Sequence, residues 1–225
     1  MPKVVEDARR SIEGEKESCT VKTGKISTRK VRAISSALYR SIQDRSIDHV
    51  LMLSEELLEE QDWALGVIAY DWAYRVRDQY TDQTFFIFEN WLKTYITGWG
   101  DCDDFCTHAV GALIGQRNER FRDVMKWTED PNFCVRRAAA VSLIDPIRRN
   151  KYEQIDPFAV SDALMQDDHH LVLKGYGWML KVLSQREPRR VIQYLEKHRT
   201  VMPRVSFRYA LEKLGVEDRE NLMRG

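Results

Sequence analysis

Apolar side chains recur at every third or fourth position along almost the whole chain, and no stretch alternates apolar with polar residues as a half-buried strand would. In "VRAISSALYRSI", Val31, Ile34, Leu38 and Ile42 fall on one helical face. The same period runs through "HVLMLSEELLEE", "WALGVIAYDWAYRV", "RFRDVMKWTE", "VRRAAAVSLIDPI", "LVLKGYGWMLKVLS", "RRVIQYLEKH" and "RVSFRYALEKLG". Only "FFIF", at 85–88, reads equally well as a strand. Pro131, Pro146, Pro157, Pro188 and Pro203 sit between these segments or at their starts, where a residue without an N–H is tolerated. The segments pair as 47–60 with 63–78, 84–95 with 102–115, 119–129 with 133–149, 157–166 with 169–185 and 188–198 with 203–214. The pairs follow one another at roughly 30–40 residues, the period of stacked helical repeats. The pattern predicts an all-α fold, an α-solenoid of antiparallel helix pairs.

Residues 1–25 are charged and only partly patterned, so this segment is expected to be loose in part, with one repeat domain over 26–225. No run of about 18 apolar residues is present, so no membrane partner is expected. The N-terminal residues carry no apolar signal-peptide core, which points to a cytoplasmic location. The formal net charge is zero, yet the ends are basic (+4 over 1–39, +5 over 120–225) and the middle is acidic (−9 over 40–119). That balance argues against a sequence-blind DNA coat but leaves room for a local basic face. Cys102 and Cys106 would share a helix face, but no second ligand pair stands at a matching spacing. Cys19, Cys102, Cys106 and Cys134 therefore read as small buried thiols, and no metal or other cofactor is expected. His49, His108, His169, His170 and His198 form no ligand pattern, and no phosphate loop or nucleophile elbow occurs.

Three stretches stand out. "ITGWGDCDDFC" crowds Asp101, Asp103 and Asp104 beside Trp99 at the start of an apolar segment. Such residues serve as helix N-caps, or a carboxylate beside an indole stabilises a positive charge. "PNFCVRRAAAVSLIDP" puts Arg136 and Arg137 near a helix start, the wrong end for the macrodipole. Either an anion such as a phosphate offsets them, or they lie on the surface with one bridging to a carboxylate such as Asp130. "LVLKGYGWMLKVL" places Gly175 and Gly177 inside a helical pattern at a cost of about 1 kcal/mol each. Close backbone approach explains them, whether by a neighbouring helix or by a ligand, and Trp178, Lys174 and Lys181 lie alongside.

Taken in order, these stretches resemble the AlkD-like DNA alkylation repair family, built from HEAT-like helical repeats. "WGDCD" matches its Trp-x-x-x-Asp pattern at Trp99 and Asp103, "RRAA" its arginine at Arg137, and "KGYGW" its second tryptophan at Trp178. The tail "EPRRVIQYLEKHRTVMPRVSFRYALEKLG" is similar to its closing repeat, and "GKISTRKVRAIS" to its entry segment. The likeness covers roughly residues 22–215.

The resemblance implies a concave helical surface that binds double-stranded DNA containing alkylated bases. It also implies a monofunctional glycosylase that hydrolyses the N-glycosidic bond of cationic purines such as 3-methyladenine and 7-methylguanine without flipping the base. Asp103 would face the oxocarbenium-like sugar and position water, and Trp99 and Trp178 would offer it their π faces. Arg137, with Arg136, Lys174 and Lys181, would contact phosphates, and Gly175 and Gly177 would let the helix approach the DNA. The protein would act as a monomer, nucleoid-associated in a prokaryote. The chain departs from the family where Gly98 and Gly100 flank Trp99 and where Phe133 and Cys134 stand before the arginines. It also has no tyrosine before Tyr39, and Asp101 and Asp104 add negative charge where phosphates would pass. A non-catalytic DNA-binding or damage-sensing protein, and a protein–protein scaffold, are the alternatives.

Overall fold

A computed structural model describes residues 2–18 and 26–224, and no strand occurs among them. The all-α, α-solenoid class expected from the periodicity is the one observed, and the ambiguous "FFIF" is helical. The chain divides into two compact units, Met1–Ile96 and Thr97–Gly225.

The first unit holds α1 (Lys3–Ser18), α2 (Thr28–Ser41), α3 (Ile47–Leu58), α4 (Trp63–Arg75) and α5 (Asp82–Thr94). Within the charged N-terminal segment 1–25, residues Lys3–Ser18 form α1. Val5, Ala8 and Ile12 recur at helical spacing, are buried, and give α1 a seam against α2 and α4. Residues 19–25, with Cys19, lie outside the described residues. Helix α4 starts where the Asp62 carboxylate accepts the backbone N–H groups of Ala64 and Leu65. It is buried continuously from Ala64 to Ala73, as the central helix of a packed unit must be. Its one carboxylate, Asp71, is fully satisfied there by Arg75 Nε (2.8 Å), Arg32 Nη1 (3.2 Å) and Ser35 Oγ (2.5 Å).

The second unit runs α6 (Trp99–Phe105), a π-helical stretch (Cys106–Val110), α7 (Gly111–Gln116), α8 (Phe121–Lys126), α9 (Phe133–Val141) and α10 (Ile144–Arg149). It continues with α11 (Pro157–Ala163), α12 (His170–Leu183), α13 (Pro188–His198), α14 (Arg204–Leu211) and α15 (Val216–Arg224). Helix α6 packs on α9, α9 on α12 and α12 on α14, so these four stack in chain order, while α7 packs on α10. The repeat is written into the hydrogen bonds. Arg137 bonds Asp103 at a separation of 34 residues, Ser206 bonds Leu173 at 33, and Tyr152 bonds Glu187 at 35. Each helix of the stack is thus tied to its counterpart one repeat away.

Several elements differ from the sequence expectation, among them the segment 102–115, which the π-helical stretch Cys106–Val110 interrupts. The helix expected over 133–149 is two, broken at Ser142 and Leu143. Pro146 is the cause: it has no N–H for the Ser142 carbonyl, and its ring crowds that position. The segment 119–129 is a short α8 between two 3₁₀ turns, Asn118–Arg120 and Trp127–Glu129. Helix α15 was not foreseen, because "VEDRENLMR" is polar nearly all round and buries only Leu222. Among the described residues, no helix is long and apolar enough to cross a membrane.

Candidate active site

Helix α6 begins at Gly98, an extended N-cap that offers no side-chain bond, so none of the three aspartates caps this helix. Trp99 is its first residue and Asp103 stands one turn on, so the indole and the carboxylate share a face. The π-helical stretch follows at once. The side chains of Thr107 and His108 donate to the carbonyls of Asp103 and Asp104 at 2.7 and 2.8 Å and so brace the turn that carries the acid. Inserted π turns recur at functional sites. Asp104 also lies 3.6 Å from His108 Nδ1. Asp101 keeps one buried oxygen with no hydrogen-bond partner, and burial, with the nearby charge of Asp104, pushes its carboxyl above the ordinary range.

One repeat later, Asn132 caps α9 by accepting the Cys134 N–H, and Arg137 follows in its second turn. Arg137 is 5 % exposed. Its Nε and Nη2 donate to the two oxygens of Asp103, each at 2.8 Å, and its Nη1 donates to the Leu171 carbonyl of the next repeat. Burial disfavours the guanidinium cation, but the hydrogen bonds and charge of Asp103 outweigh that and hold its pKa above the ordinary value. One repeat further, α12 is capped by His169, whose Nδ1 accepts the Leu171 N–H. Asp103, Arg137 and Lys174 are each the fifth residue of their helix, which is how the stacking brings them into one row. Trp178 stands one turn beyond Lys174.

Trp99, Asp103, Arg137, Leu171, Lys174, Trp178 and Tyr209 line a single open cavity of about 270 Å³. Trp99 is 57 % exposed, whereas Trp72, Trp91 and Trp127 are fully buried. An exposed indole forgoes the roughly 1.5–3 kcal/mol that burying a large apolar side chain contributes. Trp63 is exposed too, so exposure alone decides nothing. What distinguishes Trp99 is the fixed carboxylate and the second indole in the same cavity.

Trp99, Asp103, Arg137, Lys174 and Trp178 are therefore brought together in one cavity. Arg137 commits three of its five N–H donors to Asp103 and Leu171 and still lines the cavity. Arg136 is held at 2.6 Å by Asp167 and 3.1 Å by Asp168 and donates to the Asp130 carbonyl, so its charge is already met within the fold. Lys181 pairs with Glu212 and lies over the Tyr209 ring. Gly175 and Gly177 each make room for a neighbouring helix. A Cβ on Gly175 would stand 3.2 Å from Arg137, and one on Gly177 would stand 2.9 Å from both the Ser206 carbonyl and the Tyr209 Cβ. The two glycines admit α9 and α14. Lys174 makes no ion pair among the described residues. Cys102, Cys106 and Cys134 are buried thiols, and burial pushes Cys134 up to about 12. No group of three or more metal-ligating side chains occurs among the described residues. Tyr209 was missed, although the repeat marks it: it stands 35 residues, about one repeat, beyond Lys174.

Among curated proteins, none matches this chain. Its fold is similar to that of a protein from Enterococcus faecalis described as a predicted DNA alkylation repair enzyme, with a TM-score of 0.67, 13 % identity and 96 % of each chain covered. A family model, DNA alkylation repair enzyme, matches residues 22–214. A match over that much of the sequence places the chain in the DNA alkylation repair enzyme family.

Proposed function

We propose that this protein is a monofunctional DNA glycosylase that hydrolyses the N-glycosidic bond of cationic alkylated purines, with 3-methyladenine and 7-methylguanine as the substrate class. The observation that carries the reading is the Asp103 carboxylate, fixed by Arg137 from one side and opening on the other into a cavity walled by Trp99 and Trp178.

The chemistry follows from charge. An alkylated purine cation leaves as a neutral base, so its departure needs no general acid. As the C1′–N bond breaks, positive charge moves onto the sugar. A preorganised carboxylate beside that sugar stabilises the charge as it develops, and removing one such group costs about 10²–10³ in rate. The indole faces add cation–π attraction of roughly 0.5–2 kcal/mol each. Water adds to C1′ and gives up a proton to the carboxylate or to solvent, leaving a free base and an abasic sugar. Each Asp103 oxygen accepts one bond from Arg137 and retains a lone pair for that water. The partly exposed rim at Trp99 suits a sugar met at the surface of the duplex without base flipping. Lys174 is the cation left for a phosphate. All of these groups come from one chain, so the reading asks only for a monomer. A non-catalytic damage sensor is the second reading, favoured by the engagement of both Asp103 oxygens by Arg137.

Incubation with duplex DNA carrying 3-methyladenine or 7-methylguanine, followed by chromatography of the soluble fraction, separates the two. Free base together with alkali-labile abasic strands is expected. Salt-sensitive binding with no free base would favour the sensor.

A further inference from the structure

We propose that the groove between α3 and α5 is a docking surface for a partner protein, which it receives as a basic, amphipathic helix. The inference concerns the first unit alone and does not depend on the glycosylase reading.

The sequence already sets this surface apart, since residues 40–119 carry a net charge of −9. Asp48, Met52, Glu55, Glu56 and Glu59 recur at helical spacing and share one face of α3. That stripe is about 17 Å long at 1.5 Å per residue. With Leu51 and, from α5, Ile87, it bounds an open groove of about 340 Å³. Leu53, Leu57 and Leu58 of α3 are buried, whereas Met52 is 45 % exposed. The groove thus has an apolar floor and an acidic side.

This chemistry selects the occupant. No lysine or arginine lines the groove. Asp48, Glu56 and Glu59 make no ion pair among the described residues, and Glu55 accepts the Tyr95 hydroxyl at 3.3 Å. Like charges held this close repel one another, and an incoming cation relieves the repulsion. Phosphate has the wrong sign, which excludes nucleic acid and anionic lipid. The carboxylates are strung along the helix, not gathered. No group of three or more metal-ligating side chains occurs among the described residues, so a divalent ion finds no ligand shell here. Leu51, Met52 and Ile87 call for an apolar surface as well as a cation. The walls are helices whose backbone groups are already bonded, so an extended peptide would gain no ladder of hydrogen bonds. A helix satisfies its own backbone and asks only for side-chain contacts. Its apolar face would lie on the floor, with lysines or arginines set against the carboxylates of α3.

The test is fluorescence anisotropy with a labelled helical peptide of about 18 residues, made of lysine and leucine with the leucines at helical spacing. A scramble of the same composition is the control for charge alone. The patterned peptide is expected to bind about tenfold tighter than the scramble. Met52→Ser should weaken it about tenfold by removing the apolar anchor, and Glu56→Lys with Glu59→Lys should do so by removing the charge match. These side chains lie outside the Asp103 cavity, so base release should be unchanged in both variants, and its failure in wild type would leave this inference standing. Absence of binding, equal binding of patterned and scrambled peptides, or an affinity unmoved by Met52→Ser overturns the proposal. A wild-type dimer in sedimentation equilibrium that Met52→Ser dissociates overturns it too, in favour of a second copy of this chain.

Discussion

Arg137 reaches Asp103 across one repeat with two parallel hydrogen bonds of 2.8 Å, and the arginine is the more deeply buried of the two. A pair of this kind stabilises less through its own attraction than it costs to break, because removing one partner strands the other charge out of water. Asp103 keeps access to the open cavity, so Arg137→Met should lower the unfolding free energy by less than a fully buried pair would, about 1–3 kcal/mol, read from urea denaturation. Arg137→Lys keeps the charge but cannot match both carboxylate oxygens, so base release should fall more than stability does.

The two glycines of α12 should respond differently to alanine. At Gly177 the added methyl meets the backbone and Cβ of α14 at 2.9 Å, and α14 is itself bonded to α12. Overpacking of that kind costs about 1–3 kcal/mol and outweighs the gain of about 1 kcal/mol in helix propensity. At Gly175 the clash is at 3.2 Å with the Arg137 side chain, which can yield. Gly175→Ala should cost less stability than Gly177→Ala, yet shift the guanidinium that aims Asp103 and lower base release. Paired melting and base-release measurements check this, and a Gly175 variant with full activity would contradict it.

His169 should make stability pH-dependent. Burial, then the neighbouring His170, depresses its pKa below the ordinary 6.5. Its Nδ1 accepts the Leu171 N–H at 3.3 Å, which only the neutral ring can do. The unfolded chain thus takes up a proton before the folded one does. The contribution is complete above about pH 6.5 and is lost as pH falls through the depressed folded value. His169→Asn, which also caps a helix, should flatten the dependence of the melting temperature on pH between about 7 and 5.

Asp101 is a carboxylate the fold holds at a cost. It has one buried oxygen without a partner, and its raised pKa comes from burial first and Asp104 second. Asp101→Asn removes the charge, so at neutral pH it should raise the melting temperature by about 2–4 °C, the equivalent of about 1 kcal/mol in a chain of this length. Base release should persist, since Asp101 does not line the cavity.

How much of this was legible in the sequence differs by level. Helical period and proline punctuation carried the class of fold, because both act locally. The break at Ser142–Leu143 was legible in principle from Pro146 four residues on, but the apolar period continues through it and masked it. Trp99, Asp103 and Trp178 could be named in advance because their spacing and order carry the family resemblance. The partners of Arg136, Arg137, Gly175 and Gly177 could not, because each lies about one repeat away. Asp167 neutralises Arg136, Asp103 orients Arg137, Arg137 fills the space left by Gly175, and α14 fills the space left by Gly177. Tyr209 escaped notice because a lone tyrosine in an amphipathic helix reads as core until its neighbours are known.

The central claim is that Asp103 stabilises charge on the sugar rather than gripping DNA. The most direct measurement is single-turnover release of 7-methylguanine from duplex DNA by wild type and by Asp103→Asn, with duplex affinity measured for both. The account predicts similar affinities and a release rate about 10²–10³ lower in the variant. Equal release rates for the two proteins would contradict it.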